Sequence, residues 1–174
     1  MTIGDYLEER AIGVLFNQSM ITADDKIDQI DYDEDLSVIV VRTEKKTNFE
    51  KKLQSKIRTS GCAQGTIYGD IFDKFESIRL PRGLKISVSQ IISLSKKINT
   101  TPSLYLKAGA IHGCVLATVY EPLIYMEDIG RHNAVDKISG VMFLKNIKPR
   151  NKVFYTTGRL TSEMVLKTVI MGLP

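Results

Sequence analysis

The sequence has no tryptophan, two cysteines and two histidines in 174 residues. No apolar run approaches the ~18–20 residues needed to cross a bilayer, so no helical membrane span is expected. Cys62 and Cys114 form no C-x-x-C pair, which argues against a structural zinc site, and no resident metal is expected. A disulfide between them is disfavoured in a reducing cytoplasm. The chain lacks the aromatic–basic interleaving of RNA-binding modules, so nucleic acid is not an expected partner. The opening Met1 to Arg10 is acidic and has no basic segment before an apolar core. It does not read as a secretory signal, and the expected location is the cytoplasm. No repeat or low-complexity segment interrupts the chain.

What is present suits one domain. A 43% hydrophobic fraction can form a real core, and 25% charged residues is ordinary for a globular chain. The net charge of +4 is mild and fits an anionic ligand. Residues 1–174 read as a single domain. Residues 1–60 hold an N-terminal helix and strands, and 61–174 hold the core.

Glu127 to Lys137 reads E-D-I-G-R-H-N-A-V-D-K and organises the rest. Gly130 permits a sharp turn. Asn133 is a good N-cap type for a helix over 134–144, whose apolar residues 134, 135, 138, 141, 142 and 144 follow helical spacing. Arg131, His132 and Lys137 therefore sit where free N–H groups and the helix dipole suit an anion. The plainer reading is a solvated, charged connection.

Elsewhere the pattern predicts a helix over 4–16, capped by Thr2, with Tyr6, Leu7, Ala11, Val14, Leu15 and Phe16 on one face. Ile27 to Ile30 alternates only loosely. Leu36 to Val41 is a compact β-branched strand, with Asp31, Asp33, Glu34 and Asp35 in the turn before it. The basic stretch from Arg42 to Arg58 leads into Ser60-Gly61-Cys62-Ala63-Gln64-Gly65. Nearby cations favour thiolate at Cys62, and Gly61 and Gly65 leave the sulfur open. The alternative is an inert, buried cysteine, the usual fate of a free thiol. Cys114 lies in the apolar run 111–119 and reads as core.

Ser87 caps a helix to about Ile98, with Val88, Ile91, Ile92, Leu94 and Ile98 inward and Asn99 at its end. A buried strand follows His112, turns at Glu121-Pro122 and returns through Leu123 to Met126. That hairpin brings the polar loop at 127–133 beside the start of the first strand, where His112 lies, and offers a way for His112 and His132 to meet. Lys152 to Thr156 is a strand, Gly158-Arg159 a turn, and Thr161 to Ile170 a helix. Two strand–loop–helix units in succession imply an α/β domain, a mixed sheet flanked by helices, with sites at strand carboxyl ends.

Ala108 to His112, the Glu127–Lys137 string, Gly158-Arg159 and Ser162 to Val165 together resemble the FdhD/NarQ family of formate dehydrogenase accessory sulfurtransferases. The resemblance runs through most of the chain. It implies a cytidine-deaminase-like α/β fold, and a chain shorter than its family at both ends. It also implies a sulfur carrier that takes persulfide sulfur from a cysteine desulfurase. The sulfur passes to a molybdenum or tungsten bis-pterin guanine dinucleotide for formate dehydrogenase, with GDP-like molecules as related ligands. A homodimer is implied as well. Cys62 matches the first cysteine of the family's loop, whereas Gly65 stands where the second is usual. In this light Cys62 is the nucleophile, and Arg131, Lys137, Gly158 and Arg159 hold nucleotide phosphates. Gly61, Gly65, His112, Asp128, His132 and Asn133 support the site. Asp136 and Glu163 read as anchors for the arginines. A non-catalytic cofactor-holding chaperone or inactive paralogue is the alternative. A zinc deaminase would need H-x-E, but the triplet is His112-Gly113-Cys114.

Overall fold

The structure is a computed structural model that describes residues 1–45 and 77–174 in full, together with the backbone of 56–59 and 65–68. Helix α1 (Leu7–Asn17) precedes strands β1 (Ile27–Asp33) and β2 (Val38–Thr43), which pair as an antiparallel hairpin. Strands β3 (Lys56–Thr59) and β4 (Gly65–Tyr68) form a second hairpin. Then come α2 (Val88–Thr100), short α3 (Leu104–Ala108), β5 (His112–Ala117), β6 (Pro122–Asp128), α4 (Arg131–Leu144), β7 (Val153–Thr156) and α5 (Ser162–Ile170). This is the expected mixed α/β chain.

The central sheet has the order β6-β5-β7, with β5 antiparallel to both neighbours. Strands β6 and β7 therefore run parallel to each other. Their carboxyl ends, and the helices that follow each, gather at the amino end of β5. Side chains alternate across β5 as the pleat requires. Cys114 and Leu116 face a core completed by Ala134, Ile138 and Met142 of α4 and Met164 of α5. Val115 and Ala117 face Leu94 and Ile98 of α2. The sheet thus lies between α2 on one side and α4 with α5 on the other.

Helix α4 is buried along most of its length, from Arg131 and Ala134 to Met142, because α1 covers its far side. The two helices meet backbone to backbone. A Cβ on Gly13 would lie 1.7 Å from Asp136 O, and one on Gly140 would lie 1.7 Å from Glu9 O. Only glycine fits either place. The deeply buried residues of α1 are consequently Ile12, Gly13 and Asn17 rather than the predicted Leu7–Phe16 face. That face is half-buried and turns toward the β1–β2 hairpin. Phe16 also packs on Phe143 with ring centroids 5.7 Å apart.

Other expectations need correction. Thr2 does not cap α1: Tyr6 holds the N-cap position, and Thr2 bonds to a distant carboxylate. Asp31 and Asp33 belong to β1, which leaves Glu34 and Asp35 in the turn. Helix α2 has the expected Ser87 cap, completed by Gln90 as a capping box, but it runs past Asn99 to Thr100. Its Leu94 and Ile98 are buried, whereas Val88, Ile91 and Ile92 are exposed, because the sheet reaches only the second half of the helix. No helix among the described residues is long and apolar enough to cross a membrane.

Candidate functional site

The β5 register builds the site. His112 pairs with Asp128, and Cys114 pairs with Thr156. The first residues of β5 therefore sit between the loop from β6 to α4 and the loop from β7 to α5. Gly113 N–H donates to Thr157 Oγ1 at 2.9 Å, and Thr157 N–H returns a bond to Gly113 O. Tyr125 leaves no room for a side chain here: a Cβ on Gly113 would lie 2.6 Å from its hydroxyl.

The N-cap of α4 is Gly130, not Asn133. Its extended backbone lets its carbonyl accept from Asn133 N at 2.9 Å and Ala134 N at 3.2 Å. Its φ of −96° is open to any residue. Glycine provides room instead, since a Cβ would stand 3.2 Å from Asn133 Nδ2. Arg131 and His132 thus belong to the first turn of the helix. The Asn133 amide points back, donating at 2.9 Å to both Asp128 Oδ1 and Met1 O.

Asp128 is fully buried and gathers this loop. It accepts from Thr2 Oγ1 at 2.5 Å, Gly130 N at 3.1 Å and Asn133 Nδ2, and it pairs with Lys137 Nζ at 2.8 Å. Burial pushes its pKa up, but the bonds from Lys137, Thr2, Asn133 and Gly130 outweigh that and lower it to about 2. Lys137 is equally buried. Its ammonium also meets Asp5 and donates to Glu127 O at 2.8 Å. Three acceptors occupy its three donors, so the expectation that Lys137 grips phosphate does not hold.

Arg131 differs. It is 6% exposed, yet its Nε has no hydrogen-bond partner among the described residues. Gly158 makes space for its stem: a Cβ there would lie 3.0 Å from Arg131 Cβ and 3.1 Å from its Cδ. The Gly158 N–H itself donates to Thr156 Oγ1 at 3.0 Å. Among the described residues, His112 Nδ1 and Thr161 Oγ1 are likewise buried without partners. Burial, then the charges of Arg131 and Arg159, lowers the His112 pKa below its ordinary value. Arg159 is exposed in the loop ahead of α5. Two helix N-termini, a buried arginine with an unused N–H and a second arginine therefore share one end of the sheet. Such a group of donors suits an anion, because each supplies positive potential or an N–H.

The two histidines share Arg131 as a neighbour. His132 Nε2 lies 3.2 Å from Glu163 Oε2. Burial, then Lys167, lowers its pKa against the pull of Glu163. Glu163 is thus one fixed neighbour of His132. Asp136 departs from its expected role: it accepts from Lys167 Nζ at 2.7 and 2.8 Å and from Asn17 Nδ2 at 2.7 Å. Asn17 Oδ1 in turn accepts from Ser139 Oγ at 3.0 Å.

Cys114 is the predicted core residue. It is fully buried beside Thr156 Oγ1 at 3.4 Å, and burial drives its pKa up to about 12. Cys62 and Gly61 lie outside the described residues, and Gly65 begins β4. Sequence reasoning gave Thr2 only a capping role and overlooked Asp5, Thr156, Thr157 and Lys167 at the site. The threonine pair at a strand end before Gly158 was a usable signal; Asp5 carried none of its own.

The sequence matches the FdhD/NarQ family over residues 1–174. The chain belongs to the FdhD/NarQ family. Relatives named sulfur carrier protein FdhD include that of Bacillus pumilus, 28% identical over 169 residues, which cover 97% of this chain and 64% of the relative. That of Bacillus licheniformis is 30% identical over 176 residues, covering 97% and 64%. A crystal structure from Desulfotalea psychrophila, of a protein assigned as a formate dehydrogenase accessory protein, superposes with a TM-score of 0.75 at 29% identity. It covers all of this chain and 64% of its own. The chain thus spans 64% of the length of these relatives. The string E-D-I-G-R-H-N-A-V-D-K spans the end of β6, the loop and the first turns of α4; its Asp128, Asp136 and Lys137 are buried, whereas the Glu127 carboxylate accepts from Leu104 N and Tyr105 N at the start of α3.

Proposed function

We propose that this chain is a sulfur carrier that serves the activation of a formate dehydrogenase in the cytoplasm. The observation that carries the reading is the cluster at the amino end of β5, within a chain matched by the family from end to end. There Arg131, with its unpaired buried Nε, meets the N-termini of α4 and α5. This suits the phosphates of a guanine nucleotide. In the proposed transfer the substrate is a molybdenum or tungsten bis-pterin guanine dinucleotide, whose phosphates Arg131 and Arg159 bind.

Cys62 carries the sulfur. Its thiolate attacks the terminal sulfur of a cysteine desulfurase persulfide. The donor S–S bond breaks, the desulfurase cysteine leaves as thiolate, and the Cys62 persulfide forms. In the second transfer the terminal sulfur passes to the acceptor metal and Cys62 leaves as thiolate. The two electrons that make the sulfur a sulfide ligand come from the reduced metal centre of that acceptor. In this reading His132, 3.2 Å from Glu163, takes up the proton that the persulfide releases. A homodimer and direct contact with the dehydrogenase complete the proposal.

Gly65 favours a second reading, a cofactor holder without sulfur transfer, because it removes the partner cysteine of a two-thiol relay. Intact mass after incubation with desulfurase and cysteine separates the two. A reducible adduct of about +32 Da on Cys62, absent in Cys62→Ala, is expected for the carrier. No adduct on folded protein with an active desulfurase overturns it in favour of the holder.

A further inference from the structure

Among the described residues the β1–β2 hairpin hydrogen-bonds to no other strand, so its stability depends on what covers its inward face. Along β2, half-buried Ile39, Val41 and Thr43 alternate with exposed Val38, Val40 and Arg42. The inward set faces Leu7, Val14 and Leu15 of α1, but side chains do not fill the interval. A cleft of about 540 Å³ remains between helix and hairpin. That size lies within the ~300–1,000 Å³ of small-molecule sites, and its walls have their apolar character.

One group in the cleft is out of keeping with the rest. Among the described residues that line it, Arg10 alone is charged. Among the described residues its buried Nε has no hydrogen-bond partner, and no carboxylate forms an ion pair with it. A guanidinium beside an apolar cavity, with a buried N–H unused, costs stability unless an acceptor arrives. The matching ligand has one oxyanion and an aliphatic body. A carboxylate takes the fork of N–H donors, and the hydrocarbon displaces water from Leu7, Val14, Ile39 and Val41.

From this we infer that the α1–hairpin cleft is a binding site for an aliphatic monocarboxylate, with Arg10 as the anchor of its carboxylate. The site is separate from the anion cluster at the end of the central sheet. It does not depend on the sulfur-carrier reading.

Calorimetric titration of the full chain with decanoate, below its micelle range, tests the inference. Saturable one-to-one binding is expected, with the Met20 methyl resonance shifting at the same midpoint. Arg10→Met should weaken it roughly tenfold or more, and decanol should bind wild type weaker by a similar factor. Val14→Phe fills the cleft and should abolish binding, with thermal melts confirming that both variants fold. Absence of binding and of any Met20 shift in wild type would overturn the site, whatever the variants do. So would decanoate affinity unchanged in Arg10→Met, or decanol binding as tightly as decanoate. If sedimentation shows that a second copy occupies the cleft, with Val14→Phe dissociating it and decanoate without effect, the inference also fails.

Discussion

Lys137 Nζ lies 2.8 Å from Asp128 Oδ2, and neither side chain is exposed to solvent. The pair joins the first turns of α4 to the end of β6. Through Asp5 and Thr2 it also ties the start of the chain, over 120 residues away, to the same loop.

Removing one partner of this pair strands the other charge in the interior. Lys137→Met should therefore destabilise the fold by about 3–5 kcal/mol, read from urea unfolding. Thr2→Val removes one neutral donor and should cost about 1–2 kcal/mol in the same assay. Equal effects would contradict the assignment of Lys137 as the principal partner.

Acid should weaken the fold through the same carboxylate. The Asp128 pKa is held at about 2, below its ordinary value of 3.8. A lowered folded-state pKa means that this contribution is complete above about pH 4, the unfolded value, and is lost as pH falls toward 2. The expected loss over that window is about 2 kcal/mol. Asp128→Asn should lower stability at neutral pH and flatten this part of the acid limb in pH-dependent unfolding curves.

The helix contact at Gly13 and Gly140 admits no added carbon. Gly13→Ala and Gly140→Ala should each destabilise by about 1–3 kcal/mol or more, although alanine favours an isolated helix by about 1 kcal/mol. A thermal melt that rises for either variant would show that α1 sits farther from α4.

GDP serves as a probe of the anion cluster. Arg131→Gln should weaken its binding roughly tenfold or more, measured by calorimetry. Gly158→Ala, which crowds the Arg131 stem, should act in the same direction. Lys137→Gln should impair binding only in proportion to its loss of folded protein.

Thiol labelling should leave Cys114 untouched in the native protein. Its pKa near 12 keeps it protonated, and its sulfur is buried. Iodoacetamide at pH 8 followed by peptide mapping should modify Cys114 only after denaturant is added. Native-state labelling at a rate close to that of a free thiol would contradict its place in the core.

Local periodicity was enough to locate α4, α5 and β5, the Ser87 cap and the buried place of Cys114. Each depends on neighbours within a few residues, where spacing and side-chain shape act directly. The E-D-I-G-R-H-N-A-V-D-K string likewise revealed a strand–loop–helix unit and its family. It did not reveal which charges face inward. Arg131 and Lys137 are both cations near one helix terminus, but Lys137 meets Asp5 from 132 residues away while Arg131 keeps an unused donor. The buried face of α1 was hidden for the same reason. Gly13 matters because another backbone approaches it, and nothing in its local sequence carries that fact. The sequence by itself determined the elements and the chemical groups available. Only tertiary packing decided which groups satisfy one another and which remain free for a ligand, because pairing in a low-dielectric interior depends on contacts between distant segments.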